Sequence, residues 1–440
     1  MDLIEFWNIM HNTYKSGLTL IIIALLTFSA TAQKRTYSPY SRYGIGELQD
    51  GGFGRNAAMG RTGIALQNSF NLNNINPASY SGLDSMSFYF EGGLMNYSQS
   101  LKSTDASSNF SDMHFDYFAI GFPIAKWGFM SFGLQPASAV GYDFYEENTN
   151  TENSGDYTLS SAMGNGNTTK TYAGLALRPF KDFSIGVHSV YLFGKIKNSN
   201  IAQFQNDPFA SYLGSEEALR INDIYFDFGL QYKININQKQ ELVIGGIYRP
   251  KTGINANMTK LVGQGTSLNS DGSMVNTIDT LQFVQDELKR TAFEMPEKIG
   301  FGVAYNLKDA VTLTAEYTLE KWSEAKFPDE ITETSDMQKW AFGGEIIPNE
   351  RATSYLSRLR YRFGTYYKKD YLILNEHQLT DFGISFGVGL PLKRTKTSFN
   401  LAFEWGQRGT TDYNLVKENY AKLTMNLTLH EFWFVKRKFD

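Results

Sequence analysis

From Asp84 onward, apolar and polar side chains alternate along the chain with a period of two residues. Met86, Phe88 and Phe90 alternate with polar neighbours, and Phe382 and Ile384 begin a similar series near the other end. Because successive side chains of a β-strand point to opposite faces, this pattern predicts strands with one apolar and one polar face. About fourteen strands are predicted, at 84–97, 112–123, 126–142, 168–178, 182–198, 220–233, 240–258, 290–306, 310–324, 337–347, 355–368, 377–390, 396–409 and 418–434.

The links between these strands alternate in length. Short links follow the even-numbered strands, and long polar links at 98–111, 143–167, 199–219, 259–289 and 325–336 follow the odd-numbered ones. Short periplasmic turns alternating with longer outer loops are typical of bacterial outer-membrane barrels. The pattern therefore predicts an all-β protein, an antiparallel transmembrane β-barrel of about fourteen strands at 84–440, in the cell outer membrane.

The N-terminal region is predicted to contain two further segments. An apolar run at 18–28 follows Lys15, and Ala30-Thr31-Ala32 has the form of a signal-peptidase site, so 1–32 is predicted to be a signal peptide. Residues 33–83 are predicted to be a periplasmic extension leading into a hatch. The hatch lies within 60–83, which is rich in small residues and Asn and ends in Asn76-Pro77-Ala78, and its members include Gly60 and Gly63.

Composition agrees with a barrel and excludes several other classes of protein. The 440-residue chain contains 15% aromatic residues, 39 glycines and no cysteine, so disulfide frameworks and thiolate metal sites are excluded. A formal net charge of -4 argues against a nucleic-acid partner. The five histidines are scattered without ligand spacing, so the sequence predicts no enzyme, catalytic residue, cofactor or metal.

Three stretches resemble the long-chain fatty acid transporter (FadL/TodX) family of outer-membrane proteins. They are the run ending in Asn76-Pro77-Ala78, the stretch from Met295-Pro296 to Trp322-Ser323, and the stretch 362–410, which is similar to family members from Bacteroidota. The resemblance implies passive uptake of a hydrophobic, fatty acid-like compound that outer loops capture, the hatch gates, and a kinked third strand releases laterally. It also leaves open an alternative, a barrel scaffold or shuttle subunit of an outer-membrane protein export or assembly machine of the type IX secretion kind.

A proline in the middle of the third predicted strand marks a candidate lateral gate. Proline cannot donate to a β-ladder, so Pro136 predicts either a gap in the wall or a bulge near its rim. We assign Gln135, Pro136 and Ser138 to this gate.

Lumen-facing charge gives a second candidate site. Arg358, Arg360 and Arg362 are predicted to share one face of a strand, where guanidinium groups could bind the carboxylate or phosphate headgroup of a ligand. The alternative is an ion-pair network between hatch and wall, in which Arg55 and Arg61 are the hatch partners.

Two predicted outer loops give a third candidate, a capture surface for a hydrophobic molecule. Loop 199–219 contains Phe204 and Phe209. Loop 259–289 contains Leu281 and Val284, in a spacing that predicts a short helix. The predicted partners are outer-membrane lipids, a hydrophobic small molecule and, under the alternative, export or assembly proteins.

Overall fold

A computed structural model describes residues 35–104, 106–149, 157–204, 212–268, 274–290, 292–308, 310–327, 333–392 and 396–432. The predicted signal peptide and the last two residues of the predicted strand 418–434 lie outside these residues. The described residues belong to one compact unit. No helix among them is long and apolar enough to cross a membrane.

Fourteen antiparallel strands form a closed barrel, as the alternation predicts. Each wall strand pairs with the next along the chain, β7 pairs with β10, and β16 closes the ring on β1. A hairpin, β8–β9, stands outside this ring and pairs with β6. The strands are β1 Ser87–Lys102, β2 Ser107–Pro123, β3 Gly128–Thr149, β4 Tyr157–Phe180, β5 Phe183–Phe204, β6 Tyr212–Asn235, β7 Gln240–Arg249, β8 Ala256–Leu268, β9 Met274–Leu288, β10 Lys298–Leu307, β11 Val311–Glu320, β12 Met337–Ile346, β13 Arg360–Leu374, β14 His377–Pro391, β15 Ser398–Arg408 and β16 Lys417–Phe432.

Helical structure among the described residues is confined to short segments. Two are single α-turns, α1 Gly54–Ala57 in the lumen and α2 Tyr355–Arg358 before β13. Four are 3-10 turns, Pro39–Arg42, Pro77–Gly82, Trp322–Glu324 and Asp412–Asn414.

The outside of the wall is apolar and its inside is polar. On β14, Phe382, Ile384 and Phe386 are exposed on the outer surface, whereas the intervening Asp381 and Ser385 are buried in the lumen. This is the arrangement expected of a barrel whose outer face contacts lipid. We assign to the periplasm the end with the links 124–127, 181–182 and 236–239, because the opposite end carries the long extensions of β3 to β6.

Several predicted outer loops are strands instead. β3 to β6 contain 22 to 24 residues each, about twice the 9–11 residues that a transmembrane strand needs. The prediction of a helix in 259–289 is wrong, because this segment forms the β8–β9 hairpin. Its three- and four-residue apolar spacing arises partly from β-bulges, where the register shifts at Val262/Gly263 and Gln264/Gly265.

The outer parts of these long strands form a sheet above the barrel. On β6 a continuous band of exposed apolar side chains at alternate positions runs from Ile224 to Ile234, whereas Arg220 and Asn222 are exposed polar residues beyond that band. We call the sheet beyond the band the outer wing, defined by 138–149, 157–170, 194–204, 212–223, 256–268 and 274–288.

Candidate functional site

The segment 35–83 lies inside the barrel. Its first residues contact the outer parts of the wall, where Ser38 bonds to Glu418 and the Tyr40 hydroxyl donates to the Val416 carbonyl. Its last residues reach the periplasmic end, where Asp84 pairs with Lys396. The segment predicted as a periplasmic extension and hatch thus runs down through the lumen before β1 begins.

Buried ion pairs connect the hatch to the wall. Arg55 donates to Glu345 at 2.8 Å, and the same carboxylate accepts from Arg362 at 2.6 Å. Arg61 donates to Glu404 at 2.9 Å. All five side chains are buried, so each charge depends on its partner for compensation. The hatch–wall network that the sequence offered as an alternative is therefore present.

A lumen carboxylate also binds the hatch backbone. One oxygen of Glu316 accepts from the backbone N–H groups of Gly63 and Ile64, both at 2.6 Å. Asn76 donates to the Ile64 carbonyl at 2.7 Å and accepts from the N–H of Ala78 at 3.0 Å. These bonds fix the fold of the hatch, since each satisfies a polar group that is out of contact with water.

A hatch carboxylate lies among wall cations. Burial disfavours ionisation of Asp50, but the positive charges of Lys339, Lys368 and Arg61 outweigh this effect and hold its pKa well below the usual range. Its ionised form is therefore favoured by the folded state. This contribution to stability is complete above the ordinary aspartate pKa and is lost as pH falls through the lowered pKa.

Glycines on the wall allow the hatch backbone to approach closely. A Cβ atom on Gly229 would lie 2.0 Å from Oδ1 of Asn76 and 2.8 Å from Cδ of Pro77. A Cβ atom on Gly364 would lie 2.0 Å from the backbone nitrogen of Gly60, whose φ of +65° is a conformation that glycine favours.

We expect Gly229→Val to displace the Asn76-Pro77-Ala78 turn and lower stability by about 1–3 kcal/mol, as overpacking does. The measurement is the thermal unfolding midpoint in detergent. Gly246→Val is the matched control, because the three atoms nearest to a Cβ there all belong to Leu230, at 3.5 Å or more. Equal midpoints for the two variants would mean that the hatch does not press on this part of the wall.

The wall is incompletely paired between β2 and β3. Their register runs only from Phe118 opposite Leu134 to Pro123 opposite Phe129. Beyond it β2 remains paired with β1 as far as Ser107. The last residue of β3 that pairs with β2 is Leu134, which is two residues before Pro136.

Pro136 itself lies at a bulge. The register of β3 with β4 shifts between Pro136 and Ser138, and the Ser138 hydroxyl bonds to that of Thr168 at 2.7 Å. Gln135 accepts from Asn74 of the hatch at 2.8 Å. The structure thus contains both features that the proline predicted, a bulge and a gap in the ladder.

The hatch segment covers the open edge of β3. Glu47 and Leu48 form a two-residue strand that pairs with Ala139 and Ser138. The N–H of Gln49 continues this pairing by donating to the Ala137 carbonyl at 2.9 Å.

Residues that precede this short strand make further contacts with both sides of the gap. The Ser41 hydroxyl bonds to both the N–H and the carbonyl of Gly141. On the β2 side, the Tyr37 ring stacks on Phe110 with 4.2 Å between centroids. Residues 35–49, which we call the gap strap, therefore fill the gap from the lumen side.

A cavity adjoins the gap. It has a volume of about 170 Å³ and is bounded by Leu48 and Gln49 of the gap strap and by Gln135 and Ala137 of β3. Its other walls mix apolar and charged side chains, including Ile64, Leu192, Tyr225, Trp322, Arg249 and Lys170. An engineered cavity of about 150 Å³ holds a benzene molecule, so a cavity of this volume has room for a small compound.

Several predicted ligand-binding residues have other roles or positions. Arg358 is not on the predicted strand, because it ends α2 and β13 begins at Arg360. Arg360 lies over the Phe70 ring at 3.9 Å. Arg362 binds Glu345 and also donates to Asn400, so its charge is already compensated.

The predicted capture residues lie on the outer wing or beyond the described residues. Leu281 is exposed on β9, and Val284 is half-buried beside it. Phe204 is the last residue of β5, and Phe209 lies outside the described residues. Among those residues, no group of His, Cys, Asp or Glu is arranged to hold a metal ion.

Three residues that contribute to the hatch–wall contacts and the gap were not predicted from the sequence. Glu345 follows two glycines in a predicted strand. It binds two arginines, and the alternation of the strand does not predict these partners. Leu48 and Gln49 belong to a polar stretch without strand period. Only their proximity in the fold to the β3 edge identifies them.

These features define a class of protein, an outer-membrane β-barrel whose lumen is filled by its own N-terminal hatch. The chain belongs to the BamG family, whose family model matches residues 15–440. No curated protein matches the chain.

Solved structures share the fold. The toluene transporter TbuX of Ralstonia pickettii is 14% identical with a TM-score of 0.56, covering 86% of this chain and 98% of its own. A Pseudomonas aeruginosa FadL homologue is 10% identical with a TM-score of 0.59, covering 89% and 100%. The P. putida toluene transporter TodX is 13% identical with a TM-score of 0.55, covering 88% and 100%. The predicted resemblance to the FadL/TodX family is confirmed for the fold.

Proposed function

We propose that this barrel is a passive channel of the outer membrane for small hydrophobic compounds. The observation that carries the proposal is the cavity that ends at the gap between β2 and β3. On the β2 side of β3, a compound in this cavity is separated from the outside of the wall by the gap strap, because no ladder joins β2 to β3 beyond Leu134.

The hatch contacts favour lateral release over passage through the hatch. Moving the hatch would separate Arg55 from Glu345 and Arg61 from Glu404, and breaking one buried pair costs about 3–5 kcal/mol. Moving the gap strap breaks fewer buried charge contacts, because its pairing with β3 is mainly through the backbone. We therefore assign gating to the gap strap, with the rest of the hatch as a fixed stopper.

The cavity volume favours one class of transported compound over another. A fatty acid-like ligand follows from the family resemblance, but about 170 Å³ suits a monoaromatic compound better. The signal peptide at 1–32 remains part of this proposal, since export is required to reach the outer membrane.

Pro136→Val tests the lateral path. Valine restores a backbone donor and favours strand structure, so we expect uptake of radiolabelled toluene by cells producing the variant to fall several-fold. The host is a Gram-negative strain without its own hydrophobic channel. Leu134→Val, which changes an adjacent exposed residue without altering backbone donors, is the control. If the Pro136→Val variant and the control take up toluene equally, the proposal of a lateral path is contradicted.

A second candidate function is a subunit of an outer-membrane protein assembly or export machine. The BamG family match favours it, and so does the outer wing, which is taller than a small-molecule channel needs. Mass spectrometry of co-purifying lipids and proteins separates the two, because a channel retains hydrophobic compounds whereas a machine subunit retains defined protein partners.

A further inference from the structure

The last strand of the outer wing has a free edge. β9 pairs through β8 with β6, and no described residue pairs with its other side. From Gln282 to Leu288 its register with β8 is regular, which leaves the main-chain N–H and C=O groups of every second residue in this stretch directed outward. An unpaired strand of this kind is a template for another strand.

This edge lies outside the membrane band, and its inner end, Leu288, is opposite Ala256 of β8, which is opposite Ile221 of β6, three residues beyond Ile224. Phe283 is opposite Leu261 of β8, which is opposite Glu216 of β6. Glu216 is eight residues beyond Ile224, where the continuous apolar band of β6 begins, and this corresponds to about 26 Å along the strand. Lipid chains are therefore not the expected occupant.

The side chains of the edge are apolar and acidic. Leu281 is 59% exposed and Phe283 is 61% exposed. Asp286 and Glu287 lie opposite Met258 and Asn257 of β8, and neither carboxylate forms an ion pair with a described residue. Natural edge strands are usually protected by lysine, proline or a covering segment, and the stretch Gln282–Leu288 contains neither lysine nor proline.

The same charges argue against a second copy of the chain. Within Gln282–Leu288 there are two carboxylates and no cation, so a second copy of this stretch would supply no charge that compensates them. Like charges on paired strands are destabilising. A strand bearing lysine or arginine would instead compensate the charges, and an apolar residue on it would cover Phe283.

We propose that the β9 edge, Gln282–Leu288, docks an extended, basic segment of a partner polypeptide by strand addition. This goes beyond channel function, and it holds whether or not the lumen conducts hydrophobic compounds. Main-chain bonds supply affinity in such complexes, and side-chain contacts supply specificity.

Photo-crosslinking in intact cells of the native host tests the docking edge. A benzophenone amino acid replaces Gln285 in the full chain, and cross-linked peptides are sequenced by mass spectrometry. We expect one main adduct, with a lysine- or arginine-bearing segment of another protein. A benzophenone at Tyr145, which is 77% exposed at the outer end of β3, is the positional control and is expected to lack that adduct.

Charge reversal on β9 is the second part of the cross-linking experiment. Asp286→Lys with Glu287→Lys should reduce the Gln285 adduct at least tenfold, whereas Tyr145→Lys should leave it unchanged. Both substitutions are at exposed positions, and heat-modified mobility on gels verifies that each barrel is folded. The proposal is overturned by an adduct with a second copy of this chain or with lipopolysaccharide, by no adduct, or by one that survives the charge reversal. None of these results bears on toluene uptake, so this proposal and the channel proposal fail separately.

Discussion

Glu345→Ala is expected to loosen the hatch and destabilise the barrel by about 3–5 kcal/mol, because it leaves two buried cations without a counter-charge. Arg55 of the hatch and Arg362 of β13 both bind this carboxylate. Arg362 also donates to Asn400, so it keeps one neutral partner, whereas no other acceptor for Arg55 is evident among the described residues. A loss of this size is a large fraction of the 5–15 kcal/mol that typically separates folded from unfolded proteins.

Two further variants distinguish the loss of the Glu345 charge from the loss of its side-chain volume and from the loss of an exposed ion pair. Glu345→Gln keeps the size and one acceptor, so we expect a smaller but still marked loss. Glu217→Ala removes a carboxylate whose pair with Lys260 is more than one-third exposed, and such pairs contribute about 0–1 kcal/mol. Denaturant titration in detergent gives the free energies of unfolding. A Glu345→Ala loss no greater than that of Glu217→Ala would show that the hatch is not held by this pair.

Alternation along the sequence was sufficient to predict the wall. A strand period of two and uneven links required a cylinder of about fourteen strands, and the described strands confirm this. The outer wing could not be distinguished from loops in this way. Its strands carry exposed polar residues, such as Arg220 and Asn222, at outward positions where the wall strands carry apolar ones.

The site was only partly predictable, for a different physical reason. Pro136 signals a broken ladder through its missing N–H, which is a local property of one residue. The cover of that break by Leu48 and Gln49 depends on contacts between residues about 90 positions apart. Similarly, the arginines at 360 and 362 are visible in the sequence, but their compensation by Glu350 and Glu345 follows only from the fold.

A disulfide between the gap strap and β3 is expected to abolish lateral release. Leu48 and Ser138 are directly paired, and the adjacent Gln49–Ala137 bond indicates that they form the non-hydrogen-bonded type of pair. Such pairs have Cα atoms about 4.5 Å apart, within the range that a disulfide bridges. The chain has no cysteine of its own, so Leu48→Cys with Ser138→Cys forms only the intended bridge.

The two single variants are the controls for this lock. Each removes one side chain without adding a cross-link, so any loss of activity through altered packing appears in them as well. Reducing the double variant should restore its activity to the level of the single variants. Gel mobility with and without reductant reports the fraction that is cross-linked.

Whole-cell uptake of radiolabelled toluene by the Leu48→Cys, Ser138→Cys variant, oxidised and then reduced, tests lateral release most directly. The account predicts background uptake in the oxidised state and recovery by at least several-fold on reduction. Equal uptake in both states, with the disulfide shown to be complete, would contradict it.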